Sequence, residues 1–303
     1  MSKHIKRRSN KVVTSILMIL VFGLITVSGL LLLNRFKDKL PTDMQISLPQ
    51  INLADLIDKS KKVLSSRSSD LIPIASELVL KIGVISDSHG ANLLMEKAVA
   101  EMKITKVNVI LHLGDFSAGG EDVSFSDAKN ILAASDIAYH VLPGDHDFNW
   151  FPTHSRENFE NAFRKSYDQY FEINRVEIIM LENSINVDDK TNQIEWLKGV
   201  LSETGTTSIR LFFSARPLYS PYFAYKEDLQ GTDIINLLID SGIKYAFAGD
   251  THLYAQYQDL SEKLNMITVG AIGEYKNPLP QWVSVEVYSD GTTKTTSHPI
   301  IDF

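Results

Sequence analysis

The chain has 303 residues, 44% of them hydrophobic and 22% charged, with no cysteine and a formal net charge of -7. That is enough apolar chain for one large domain or two small ones, and it excludes a disordered protein. The missing thiol excludes disulfide scaffolds, zinc fingers, iron–sulfur sites and cysteine nucleophiles, which leaves oxygen and imidazole groups for any catalysis.

Charge is unevenly spread along the chain. Residues 1–40 hold eight Lys/Arg against the single acid Asp38, whereas residues 41–303 hold 22 basic and 36 acidic side chains, a net of -14. An acidic body lacks a phosphate-tracking surface, so no nucleic-acid partner is expected. After the basic segment 1–11, the 22 residues Val12–Leu33 carry no charge. As a helix they would span about 33 Å, against a hydrocarbon core of about 30 Å. No Ala-x-Ala cleavage pattern follows, which separates an uncleaved signal-anchor from a secretory signal peptide. Five Lys/Arg precede the span and three follow it, so a single-pass membrane protein is expected, with the N-terminus inside and the rest extracytoplasmic. Residues 34–77 contain Pro41, Pro49 and Pro73, an amphipathic segment Leu53–Leu64 and the polar run Ser65-Ser66-Arg67-Ser68-Ser69. They read as a stalk.

In the body, residues 78–303, short β-type runs alternate with helical patterns. The expected strands are Leu78–Ser86, Val107–Leu113, Ala138–Leu142, Glu177–Leu181, Ser208–Phe213, Tyr245–Ala248, Asn265–Val269 and Trp282–Tyr288. The expected helices are Leu93–Met102, Phe125–Ala134, Asn158–Tyr167, Gln193–Ser202 and Thr232–Ser241. Alternation in the earlier part implies parallel units, and the strand-rich last fifty residues or so imply antiparallel ones.

Four of these strands end in the same kind of turn. Ile82–Ser86 runs into Asp87-Ser88-His89-Gly90, and Val109–Leu113 runs into Gly114-Asp115. Tyr139–Leu142 runs into Pro143-Gly144-Asp145-His146-Asp147, and Tyr245–Ala248 runs into Gly249-Asp250-Thr251-His252. Sites in α/β sheets lie outside the carboxyl ends of the strands, so Asp87, His89, Asp115, Asp145, His146, Asp250 and His252 are expected in one crevice. So many carboxylates repel one another unless cations neutralise them, and divalent ions are the simplest remedy. A lone Gly-Asp or Asp-x-His is an ordinary turn or surface loop; four such turns, each after an apolar run, form a pattern.

That pattern resembles the calcineurin-like metallophosphoesterases, whose motifs are Asp-x-His, Gly-Asp, Gly-Asn-His-Asp/Glu, a single His near a Pro, and Gly-His-x-His. The resemblance covers about Leu78 to Tyr288. Gln193-Ile194-Glu195-Trp196-Leu197 and Arg216-Pro217-Leu218-Tyr219 are similar to two further family segments. It implies an α/β fold, a four-layer αββα sandwich of two mixed β-sheets flanked by helices, here preceded by one transmembrane helix. It also implies a first metal held by Asp87, His89 and His252, with Asp115 bridging to a second. His146 matches the residue that stabilises the transition state or protonates the leaving oxygen, and Asp147 would orient it or a neighbouring loop.

The sequence departs from the family at the second metal. Asp145 stands in place of Asn, Ala215 in place of the single His, and Asp250 in place of the first His of Gly-His-x-His. The remaining set, Asp115, Asp145 and Asp250, is all oxygen, which favours Mn²⁺, Mg²⁺ or Ca²⁺ there; Fe, Mn or Zn suit the first site. The resemblance thus implies a membrane-anchored, metal-dependent hydrolase of phosphate mono- or diesters, working by attack of a metal-bound hydroxide on phosphorus. The added carboxylates favour a diester, because they repel a dianionic monoester more. Arg216 would contact substrate phosphate or pair with Asp145 or Asp250 as a substitute cation. The aromatics Tyr219, Tyr222, Phe223 and Tyr225, and Phe148, Trp150 and Phe151, would line a pocket or pack locally. His112 and His140, inside β runs, read as core or edge histidines. The competing reading is a weakened or inactive binding protein on the same fold with one structural metal.

Overall fold

In a computed structural model of the chain the described residues are 76–149, 155–163, 167–184, 190–203, 209–219, 229–273 and 279–300. All lie in the unit Pro73–Phe303. The expected anchor Val12–Leu33, the stalk through residue 75, and Trp150, Phe151, His154, Tyr222, Phe223 and Tyr225 lie outside them. Among the described residues no helix is long and apolar enough to cross a membrane.

The elements run β1 (Leu78–Ile85), α1 (Asn92–Ile104), β2 (Val109–His112), α2 (Asp122–Ala134), β3 (Ala138–Val141), a 3-10 turn (Asp145–Asp147), α3 (Glu157–Phe163), β4 (Gln169–Ile173) and β5 (Val176–Leu181). They continue with α4 (Lys190–Glu203), β6 (Ile209–Ser214), α5 (Leu229–Asp240), β7 (Tyr245–Ala248), β8 (Tyr254–Gln258), β9 (Asn265–Val269), β10 (Gln281–Tyr288) and β11 (Thr293–Pro299). Two mixed sheets result, one ordered β11-β10-β1-β2-β3 and the other β4-β5-β6-β7-β9-β8.

Side-chain alternation along each strand explains the layers. Leu80, Ile82 and Val84 of β1, Val109 and Leu111 of β2, and Val283, Val285 and Val287 of β10 meet Val176, Ile178 and Met180 of β5 and Leu211 and Phe213 of β6 in one core between the sheets. Residues of opposite parity face outward onto helices. Ile110 joins Met95, Ala98 and Met102 of α1 and Phe125, Ala128 and Leu132 of α2, whose spacings place one apolar stripe on each helix. Ile179, Leu181 and Phe212 join Leu197 of α4 and Ile234 and Leu238 of α5. Helices therefore cover both outer faces of the sheet pair, the expected four-layer order.

Three strands carry no expectation from the sequence: β4, β8 and β11. Each is the outermost strand of its sheet. They are mostly partly buried or exposed, in contrast to the fully buried β5, so they lack the apolar run that marks a central strand. The hairpin of β4 and β5 is antiparallel within the alternating region, and β9 joins β7 in parallel although it lies in the later, strand-rich part. Both depart from the expected orientations.

The candidate metal centre

Strands β1, β2 and β3 are parallel neighbours, so their carboxyl ends open at one edge. The turns that follow are laced together by backbone bonds: Asp87 N–H donates to Gly114 O and His89 N–H to Asp115 O, each at 3.0 Å. The second sheet reaches the same place through the turn after β7, where Asp250 N–H donates to Asp87 Oδ2 at 3.1 Å. Asp87, His89, Asp115, Asp250 and His252 all have φ between 44° and 68°. That left-handed backbone costs a non-glycine residue on the order of 1–2 kcal/mol. Asp and His tolerate it better than most, and clustering of such residues marks functional sites.

Glycine beside the ligands allows the turns to touch. A Cβ on Gly144 would lie 2.0 Å from Asp115 Oδ1, and one on Gly249 would lie 2.1 Å from Ser86 Oγ. At Gly144 the added carbon would also lie 2.4 Å from Asp115 N, so no side chain fits there without moving the ligand loop; at Gly249 the Ser86 hydroxyl would have to give way.

Asp87, His89, Asp115 and His252 gather as one possible metal-binding group. His89 Nε2 lies 3.3 Å from His252 Nε2 and 3.9 Å from Asp115 Oδ2, and His252 Nε2 lies 3.5 Å from Asp87 Oδ1. The His89 Nδ1–H donates to Ser117 O at 3.0 Å, because a carbonyl only accepts; this turns the Nε2 lone pair toward the cluster. Asp87 is fully buried, and its Oδ1 has no hydrogen-bond partner. Burial raises Asp87 to about 8, with the Asp250 charge adding to it. Asp115 is raised well above the usual carboxylate range by burial and by Asp87, Asp147 and Asp145. A buried orphan oxygen, an aimed imidazole and two carboxyls unable to ionise alone fit a divalent cation.

Asp115, Asp145 and His146 form a second group. Asp145 Oδ1 is also buried without a partner, and burial followed by the Asp250 charge raises its pKa while Arg216 lowers it. Asp250, expected beside Asp145 as a ligand, belongs to neither group; its Oδ2 pairs with Arg216 Nε at 3.4 Å. Ala215 is buried and offers no donor.

His146 Nδ1–H donates to Ala118 O at 3.0 Å, and its ring stands edge-on to His89 with centroids 4.9 Å apart. Asp147 acts on the loops and not on that ring. Its Oδ1 accepts Phe116 N–H at 2.8 Å, Ser117 N–H at 3.0 Å and Ser117 Oγ–H at 3.1 Å, and its Oδ2 accepts Gly144 N–H at 2.8 Å. These bonds tie the Asp115 loop to the His146 turn, and burial outweighs them enough to leave Asp147 at about 6.

His112 is a core histidine. Gly114 N–H donates to its Nδ1 at 3.2 Å, so Nε2–H faces Ser88 Oγ at 3.2 Å, and burial holds its pKa well below the usual value. His140 stacks on Phe171 of edge strand β4, and His298 stacks on Trp282. Phe148 lies under the Arg156 guanidinium at 4.2 Å, packed locally, while Tyr219 is exposed. Sequence reasoning did not find the carbonyls of Ser117 and Ala118 that orient the two imidazoles; backbone acceptors leave no signal in residue identity.

The family model described as calcineurin-like phosphoesterase matches residues 80–267. No curated protein sequence matches the chain. Among solved structures, a dimetal phosphatase from Danio rerio is 16% identical with a TM-score of 0.57, over 73% of this chain and 99% of that one. A purple acid phosphatase from yellow lupin seeds is 12% identical with a TM-score of 0.54, over 73% of this chain and 54% of that one. GAP50, the anchor in the inner membrane complex of Plasmodium, is 14% identical with a TM-score of 0.52, over 75% and 90%. At these identities the structures speak to the fold alone. With the family model covering both the strand ends and the ligand turns, the chain belongs to the calcineurin-like phosphoesterases, a family of metal-dependent phosphoester hydrolases.

Proposed function

We propose that the chain hydrolyses a phosphate mono- or diester, with a diester preferred, on a divalent ion held by Asp87, His89, Asp115 and His252. The observation that carries this reading is the convergence of two imidazole nitrogens and two buried carboxyls around the unpartnered Asp87 Oδ1. Such a mixed donor set suits Fe, Mn or Zn. When bound, the ion would supply Lewis acidity toward water and phosphoryl oxygens.

The chain's own residues do the rest. Ala118 O fixes the Nδ1–H of His146, so Nε2 is the atom turned to a substrate; once protonated, it donates to the leaving oxygen. Asp147 holds that turn against the Asp115 loop, keeping proton donor and metal ligands in one register. Asp145 adds negative charge beside the centre, so that it and Asp250 together outnumber the Arg216 cation that pairs with Asp250, which weighs against a dianionic monoester. Residues 12–33 would tether the body to a membrane through the stalk, with the hydrolytic site extracytoplasmic.

The test is metal content measured together with turnover of aryl phosphate mono- and diesters by the purified chain. Turnover should vanish with chelator and return with Mn²⁺, and His252→Ala should lose both metal and turnover. Turnover that survives complete metal removal would sink the reading. Full metal occupancy with no turnover of either ester would favour the binding-protein alternative.

A further inference from the structure

We infer that the second cation of this centre is the guanidinium of Arg216, so that the site takes one metal ion and not two. This rests on the first-ion reading above and departs from the two-metal arrangement of the family. The residues around Arg216 carry it. Its backbone is clamped at both ends by Asn183, whose Oδ1 accepts Arg216 N–H at 2.8 Å and whose Nδ2–H donates to Arg216 O at 2.9 Å. Ser214 Oγ–H donates to the same carbonyl at 2.8 Å.

So held, the side chain runs toward the centre. Its Nη1–H donates to Ser184 O at 3.0 Å and its Nε–H reaches Asp250 Oδ2 at 3.4 Å. Asp250 is the residue whose backbone N–H binds Asp87 Oδ2, so the guanidinium lies one residue from the first ion's ligands. Asp145 feels the charges of both Asp250 and Arg216. A second ion in the family's position would need donors from positions 145, 215 and 250. Ala215 has none, and the carboxylate of Asp250 already has a cation. Among the described residues, Asp115, Asp145 and His146, with the unpartnered Asp145 Oδ1, are the one other group that could take a second ion, and an ion there would consume the imidazole that serves the leaving oxygen; the ion count below separates the two arrangements.

A guanidinium can do part of what an ion does. Beyond the N–H groups held by Asp250 and Ser184, it can donate to phosphoryl oxygens and neutralise them, and unlike an ion it is not removed by a chelator. It cannot lower the pKa of water by coordination. The division of labour is therefore one Lewis acid and one fixed phosphate clamp, with the Asp250 carboxylate steering the clamp.

The test uses the full chain saturated with Mn²⁺, read by metal analysis and electron paramagnetic resonance. Wild type should hold one ion per chain with the spectrum of an isolated Mn²⁺. Arg216→Met should keep that ion but bind inorganic phosphate about 10-fold more weakly or worse, as expected for losing a charge-assisted pair. Ala215→His combined with Arg216→Met should admit a second, exchange-coupled ion. Two coupled ions in wild type overturn the inference, as does unchanged phosphate affinity in Arg216→Met. Wild type holding no ion would overturn the first-ion reading itself. The wild-type measurement decides the matter even if the double variant fails to fold.

Discussion

Asp87→Asn separates the cost of building the metal site from its purpose. In the metal-free chain burial raises this carboxyl from 3.8 to about 8, so at pH 7 folding requires it to take up a proton. The interval from 3.8 to pH 7 is roughly 3 units, on the order of 4 kcal/mol at 1.36 kcal/mol per unit. Because the folded value lies above the unfolded one, the group's contribution is complete below pH 3.8 and is lost as pH rises through about 8. Asparagine removes that loss and keeps the contacts. Its amide oxygen can accept Asp250 N–H, and its amino group can face His252 Nε2, now 3.5 Å from Asp87 Oδ1. In EDTA at pH 7 the variant should therefore be more stable than wild type by up to about 4 kcal/mol, about 8–16 °C in Tm for a domain of this size. The gap should close toward pH 4. Mn²⁺ should raise the Tm of wild type and leave the variant nearly unmoved. Thermal unfolding followed by circular dichroism from pH 4 to 8, with EDTA or with Mn²⁺, measures all of this. A variant less stable than wild type in EDTA at pH 7, or one that responds equally to Mn²⁺, refutes the reasoning.

Gly144→Ala should destabilise the fold by about 3 kcal/mol or more and abolish metal binding, since its methyl would sit 2.0 Å from Asp115 Oδ1. Gly199→Ala in α4, with open space around the added methyl, should stabilise by about 0.5–1 kcal/mol; urea unfolding compares the two. Asp168 is raised to about 6, chiefly by burial, while its Oδ1 accepts Glu182 N–H. Its folded value also lies above the unfolded one, so Asp168→Asn should gain stability over wild type above pH 6 and show no gain near pH 4, read from urea midpoints at pH 4 and 7.5. If residues 12–33 anchor the chain in the proposed orientation, protease added to intact cells should clip within residues 41–77 and release the body; cleavage only after lysis would reverse the orientation.

The central strands were legible because their physics is local. Burial on both faces makes β1, β2, β5, β6 and β7 runs of apolar, β-branched or aromatic residues, and the turns after β1, β2, β3 and β7 carry Asp and His beside Gly. Of the four edge strands, β3 was legible through the Val-Leu that leads into its Pro-Gly-Asp turn, whereas β4, β8 and β11 were not, because a half-solvated strand needs no apolar run. At the site, strand ends brought Asp87, His89, Asp115, Asp145, His146, Asp250 and His252 to one crevice, and the family resemblance singled out Asp87, His89, Asp115 and His252, which the structure gathers as one group. For Arg216 the sequence offered substrate phosphate, Asp145 or Asp250 as partners; the structure pairs it with Asp250, a choice that depends on how Asn183 and Ser184, after β5, aim a side chain that follows β6. Asp147 shows the same kind of choice: the sequence left it orienting either the His146 ring or a neighbouring loop, and its four donors, from Phe116, Ser117 and Gly144, select the loop.

The most direct test of the metal centre is anomalous diffraction at the manganese edge from crystals grown with Mn²⁺. A peak is predicted within bonding distance of His89 Nε2, His252 Nε2 and the carboxylates of Asp87 and Asp115, about 2.0–2.3 Å from each. A well-ordered site with no anomalous density among these four residues, in crystals whose protein turns over a phosphoester, would contradict the account.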